Sequence, residues 1–169
     1  MATRTSLRDY QRELAERLKG AASGRAASKL GLQVGGEFWL LDLADAGEVI
    51  PVPPITPVPL VRPWFRGAAN IRGRLYAVVD FPAFLGSMGA VPGEHARLVL
   101  LGERFRMGCA LLVDRSLGLR AADQLQAQPN TGAGALWLKA KYSDQDGRQW
   151  KELDVGQLIQ DSAFLEVAA

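Results

Sequence analysis

The run from Trp64 to Asp80, Trp-Phe-Arg-Gly-Ala-Ala-Asn-Ile-Arg-Gly-Arg-Leu-Tyr-Ala-Val-Val-Asp, constrains this chain more than any other stretch. Gly67 and Gly73 bound a turn carrying Asn70 and Arg72, and the turn feeds a strand whose Leu75, Tyr76, Val78 and Val79 suit a pleated surface. Glycine reaches positive φ, or admits a close backbone approach, at no steric cost; Asn70 is one of the few other residue types that tolerates the left-handed region. A turn of this kind predicts a stiff base from which Arg72 holds five donors in a fixed fork toward a carboxylate or a row of carbonyls on a partner. The competing reading is a hairpin turn whose arginine is only solvated.

The rest of the chain has the texture of short strands. From Leu30 onward, brief apolar runs alternate with Gly, Pro and Asp, which predicts a mainly β body. Leu32 to Val34 and Glu37 to Asp42 form a hairpin around Gly35-Gly36, and Glu48 to Val52 follows as a short strand. Pro51, Pro53, Pro54, Pro57 and Pro59 then make a connector that cannot be a central strand, interleaved with Val52, Ile55, Val58, Leu60 and Val61 as a packed crossover would be. Arg97–Leu101, Arg106–Val113 and Leu117–Arg120 are further strands, and Ala121–Gln126 reads as one helical turn. Leu136–Tyr142 and Gln149–Val155 make a last antiparallel pair around Asp146-Gly147, before a short terminal helix within Gly156–Phe164. Ahead of the body, residues 6–19 read as a helix: Ser6 and Asp9 make a capping pair, and Leu7, Tyr10, Leu14 and Leu18 recur on one face. That helix either folds back on the body or docks on a partner, and a small, polar linker follows it.

Composition narrows the function. At 169 residues, 48% apolar and 22% charged, the chain is one compact unit with a sizeable core. The net charge of +2 is scattered apart from Arg4, Arg8, Arg12, Arg17, Lys19 and Arg25, so no nucleic-acid footprint is expected. No apolar signal region and no membrane-length window occur, and the single cysteine, Cys109, allows no internal disulfide; a reduced, cytoplasmic setting follows as the expectation. The catalytic inventory is thin. His95 is the one histidine, in the polar loop Gly93-Glu94-His95-Ala96, and Cys109 sits mid-strand without an activating cation in sequence. There is no zinc spacing, and Gly67–Arg74 lacks the ending of a phosphate loop and precedes a strand. The pairs Asp42/Asp45 and Asp144/Asp146 fall in turns, where Asp serves local backbone bonding. No catalytic, cofactor or metal constellation emerges, and the chain reads as a binding module; a hydrolase or transferase using His95 or Cys109 is the enzymatic alternative.

The pattern Phe-Arg-Gly-Ala-Ala-Asn-Ile-Arg-Gly, followed by an apolar strand ending in Asp80 and the turn Phe81-Pro82-Ala83-Phe84-Leu85-Gly86, resembles the CheW family of adaptors that join chemoreceptors to a histidine kinase. The likeness extends over about Leu32 to Leu165 through Phe38–Leu41, Glu48–Ile50, Arg97–Leu101, Ala110–Asp114 and Leu153 before Val155–Ile159. It implies two SH3-like five-stranded β-barrel subdomains on a shared core, with residues 1–29 as N-terminal helix and linker and 30–169 as the CheW-like domain. It further implies two partners, the cytoplasmic tip of a methyl-accepting receptor and the regulatory domain of a CheA-type histidine kinase, with no direct membrane insertion. The family's receptor-contacting arginine carries over to Arg72, with Asn70 and Gly73 shaping the turn, its early-strand acid to Glu48 and its preceding glycine to Gly67. Trp64-Phe65, the Pro-rich connector and the N-terminal helix depart from the chemotaxis adaptor and look more like the CheW-like protein of the system governing type IV pilus twitching motility. Flagellar coupling is the alternative pathway. An oligonucleotide-binding barrel, using Arg62, Trp64, Phe65 and Arg66, is the alternative outside the family.

Overall fold

The computed structural model describes residues 28–90, 93–129 and 134–169. The helix expected over 6–19 lies outside them. The first hairpin pairs β1 (Lys29–Val34) with β2 (Glu37–Asp42) across Gly35 and Gly36, both at positive φ (59° and 82°), as a two-residue turn between right-twisted strands demands. Strand β3 (Ala46–Pro51) follows. Then β4 (Phe65–Ile71) and β5 (Arg74–Asp80) form the second hairpin. The remaining strands are β6 (Arg97–Leu101), β7 (Cys109–Val113), β8 (Arg115–Arg120), β9 (Gln126–Gln128), β10 (Leu138–Ser143) and β11 (Gln149–Leu153).

These strands make two mixed sheets, one of six strands in the order β8-β1-β2-β11-β10-β9 and one of five in the order β3-β6-β7-β5-β4. The expectation of five strands each misses β9: a 3₁₀ turn occupies only Ala122–Gln124, and Gln126–Gln128 then extends to pair with β10. Each sheet contains one parallel join, β2 with β11 and β5 with β7, between strands far apart in sequence.

Period-two alternation explains why the middle strands of the five-stranded sheet are apolar throughout. Val79, Val99, Leu101, Leu111 and Val113 point into a core shared with Leu30, Leu32, Trp39, Leu41 and Leu153 of the other sheet. Their neighbours Val78, Leu98, Leu100, Ala110 and Leu112 point the opposite way into a second cluster with Ala69 and Ile71. A sheet with apolar cores on both faces must wrap around one of them. It does: Thr56, just beyond β3, bridges Ala68 of β4 through paired backbone bonds of 2.8 and 2.9 Å, joining the sheet's two edges. The Pro-rich connector is therefore packed only over its first half, where Val52 and Ile55 cover the second cluster; Val58 and Leu60 are 42% and 86% exposed.

Three one-turn helices close the ends of this frame. Helix α1 (Phe81–Phe84) is capped by Asp80, and α2 (Val155–Leu158) and α3 (Ser162–Leu165), capped by Asp154 and Asp161, replace the single terminal helix expected. The last of them brings Phe164 onto Trp64 with ring centroids 6.1 Å apart, and Phe84 stands edge-on to both. Trp64 and Phe65 are thus packing residues, which removes the exposed aromatic platform that an oligonucleotide-binding reading needs.

Candidate binding surface

The β4–β5 hairpin has a two-residue turn, Arg72-Gly73, with φ of 53° and 81°. The left-handed position that the sequence suggests for Asn70 is taken by Arg72, because the strand runs on through Asn70 to Ile71. Asn70 contributes in another way: its Oδ1 accepts the Gly73 N–H at 2.9 Å and braces the turn. Gly73 is open to solvent, while Gly67 is buried at a register shift in β4. A Cβ on Gly67 would stand 2.0 Å from the Thr56 carbonyl oxygen, so this glycine is required by the backbone contact that closes the sheet.

Arg72 does not stand free. Its two terminal nitrogens each donate at 2.8 Å to a different oxygen of Glu48, a bidentate fork on β3. Two residues singled out separately in the sequence, 24 positions apart, are therefore one unit of the surface. The pair is exposed, with side chains 75% and 39% accessible, so its own worth in the free protein is small, about 0–1 kcal/mol. Next to it Arg74 donates to Glu103 at 2.6 Å. Between the two pairs lies a hollow of about 300 Å³ floored by Ile71, Tyr76, Leu100 and Leu101. Past Arg74 it adjoins a second hollow of about 490 Å³ that reaches Met107 and Leu75, the latter 72% exposed. The surface offers an apolar floor with exchangeable ion pairs on its rim.

His95 lines a hollow of about 300 Å³ with Gln33, Glu94, Asp114 and Arg115, which lacks the aliphatic floor found beside Arg72. His95 is exposed in its loop, and Cys109 is buried in β7, where loss of water pushes its thiol up to about 12 and keeps it protonated. Among the described residues no group of three His, Cys, Asp or Glu side chains is placed to hold a metal ion. Asp144 does bond its own turn, accepting the Asp146 and Arg148 N–H groups at 2.9 Å each. Asp42 and Asp45 do not follow that expectation: their carboxylates are turned to Lys29 and Lys139 and to Arg104, respectively.

Sequence reasoning missed the charge cluster that Asp42 belongs to. Lys29 donates to Asp42 and Glu152 at 2.7 Å each, Lys139 reaches Glu152 at 2.9 Å, and the Tyr142 hydroxyl donates to Glu152 at 2.7 Å. Burial opposes the ionisation of Glu152, but the bonds from Lys29, Lys139 and Tyr142 outweigh it and hold the carboxyl below its ordinary range. Asp42 is lowered in the same way, against burial, by Lys29 and Lys139. The same bonds raise both lysines, for Lys29 against the opposing effect of burial. The available signal was parity: Lys29, Asp42 and Glu152 share the sheet face of Gly31 and Leu40, opposite the shared core.

Residues 29–163 match the model of the CheW-like domain. The chain belongs to the CheW-like domain family. Protein PilI of Pseudomonas aeruginosa is 36% identical over 145 residues, 83% of this chain and 80% of the relative. Chemotaxis protein CheW of Thermotoga maritima is 26% identical over 138 residues, 81% of this chain and 90% of the relative. Among solved structures, scaffolding protein TtCheW from Thermoanaerobacter tengcongensis superposes with a TM-score of 0.65 at 17% identity, over 77% of this chain and 90% of that one; it bears on the fold alone. The resemblance read from Trp64–Gly86 is thereby established for the family, and no helix among the described residues is long and apolar enough to cross a membrane.

Proposed function

We propose that this CheW-like chain is a non-catalytic adaptor, working in the cytoplasm, that couples the cytoplasmic tip of a methyl-accepting chemoreceptor to the regulatory domain of a CheA-type histidine kinase. The curled sheets are read as two SH3-like barrels in a domain of residues 30–169, with 1–29 as helix and linker. The observation carrying the reading is the exposed Arg72–Glu48 fork beside an apolar hollow. Because the internal pair is weak in water, a partner carboxylate exchanges with Glu48 at little cost, and the apolar floor supplies the burial that fixes the complex. Asn70 and Gly73 hold the turn, and Gly67 acts at a distance through sheet closure.

The likeness to PilI favours the type IV pilus system and twitching motility as the output. The Thermotoga maritima chemotaxis relative supports flagellar coupling as the second reading. Restoration of twitching or of swimming in strains lacking the corresponding adaptor separates them.

Arg72→Ala tests the contact itself in a pull-down with a receptor cytoplasmic fragment. Losing a charge-assisted bond of about 1.5–3 kcal/mol weakens binding by about tenfold to a hundredfold, while the fold is retained. Glu48→Gln discriminates further: if Arg72 makes the contact, freeing it leaves binding equal or tighter. Unchanged binding by Arg72→Ala removes the residue from the interface.

A further inference from the structure

Strand β7 starts late. Its first residue, Cys109, pairs with Ala77, so Arg74, Leu75 and Tyr76 of β5 run on beyond it. On its other side Leu101 of β6 outlasts the final β6–β7 pair, Leu100 with Ala110. The sheet is therefore notched at this end, and the hollow of about 490 Å³ occupies the notch. The chain leaves the notch through Gly108, where a Cβ would stand 2.8 Å from the Leu75 carbonyl oxygen, so the entry into β7 depends on a residue without a side chain. Leu75 and Met107 offer apolar surface there, the first of them largely exposed. Arg74, Tyr76, Leu101 and Glu103 line both this hollow and the one beside Arg72, which makes the two a single continuous trough.

Arg106 stands at the far end of this trough. It ends the 3₁₀ turn Glu103–Phe105 at a φ of 51°, with its N–H donating to the Glu103 carbonyl at 2.9 Å. Glycine would occupy that left-handed position with less strain, and strained residues cluster at binding sites. Charge gives the chemistry. Arg72, Arg74 and Arg104 each have a carboxylate partner, and Arg74 and Glu103 offset one another on the rim. Arg106 is exposed and has no ion pair among the described residues, which leaves this end of the trough with surplus positive charge. We propose that Arg106 is a second anchor of the binding surface: the partner segment that pairs a carboxylate with Arg72 carries another for Arg106 and lays an apolar side chain between Leu75 and Met107. A carboxylate arriving at Arg106 displaces no internal partner, whereas one arriving at Arg72 must replace Glu48. Arg106 thus selects an acidic segment with an apolar residue beside the acid, and because it serves the same partner as Arg72, this role rests on the adaptor reading.

Titration calorimetry of the full chain with a receptor cytoplasmic fragment tests this. Arg106→Gly removes the side chain while relieving the backbone, so Tm holds or rises and binding weakens about tenfold or more. Leu75→Ser, at an exposed position, weakens binding about tenfold as well. Arg115→Gln removes an exposed arginine of β8 that lines a different hollow, and binding stays as it was. Combined with Arg72→Ala, the loss from Arg106→Gly multiplies, as it does for separate contacts with one partner. If Arg72→Ala weakens binding and Arg106→Gly does not, the second anchor is overturned and the adaptor reading stands. Unchanged binding by Leu75→Ser overturns it too, and an equal loss with Arg115→Gln does so by reducing the effect to net charge. A fragment that fails to bind the parent chain sinks the adaptor reading and the second anchor together.

Discussion

Glu152→Gln keeps the shape of a side chain that is 1% exposed and removes its charge. Lys29, 9% exposed at its side chain, would then retain Asp42 at 2.7 Å as its carboxylate partner, and Lys139 would lose its shorter contact. Breaking a buried ion pair from one side costs about 3–5 kcal/mol, and the surviving Asp42 bond places this case at the low end, about 3 kcal/mol. For a chain of this size that corresponds to a fall in Tm of about 6–12 °C. Urea and thermal unfolding followed by tryptophan fluorescence measure it. The pH dependence carries a second signature. Glu152 and Asp42 are lowered in the folded protein, so their stabilisation is full above the unfolded-state carboxyl values of 4.5 and 3.8 and is lost as pH falls below them. Lys29 and Lys139 are raised, so theirs is full below 10.5 and lost as pH climbs through the folded values. The glutamine variant flattens the acid limb. A variant within about 0.5 kcal/mol of the parent, with the same acid limb, would refute the reasoning, since desolvation would then already have cancelled the cluster's attraction.

Two further outcomes follow from the closure of the five-stranded sheet and the interior of β7. Gly67→Ala places a methyl against the Thr56 carbonyl at a φ of 125° and destabilises the fold by about 3 kcal/mol or more; denaturant midpoints decide, and a change below about 1 kcal/mol would show that Thr56 moves aside freely. Cys109 resists a thiol reagent at neutral pH until the protein unfolds, so labelling tracks global unfolding; fast labelling of the native protein would contradict its burial.

Local patterns made much of this molecule legible in advance. Positive-φ glycines at Gly35, Gly36 and Gly73, the Asp146-Gly147 turn and the apolar runs of β6 and β7 all act between near neighbours, where turn chemistry and alternation leave few options. Arg72 was visible as a candidate from its turn, and Glu48 from the family resemblance alone. Their engagement with one another was not, because it depends on the five-stranded sheet curling until Thr56 meets Ala68.

The parallel joins β2–β11 and β5–β7 lie beyond the reach of local pattern too, since parallel partners share no turn. The cluster of Lys29, Asp42, Lys139 and Glu152 is assembled across the β2–β11 join from residues up to 123 positions apart. A charged residue in a strand reads as solvent-facing until its partners are in place. The amino-acid sequence thus decided which segments are strands, where they turn and which family they belong to. Long-range pairing decided which charges meet, because desolvation and ion pairing depend on what the distant chain brings to the same place.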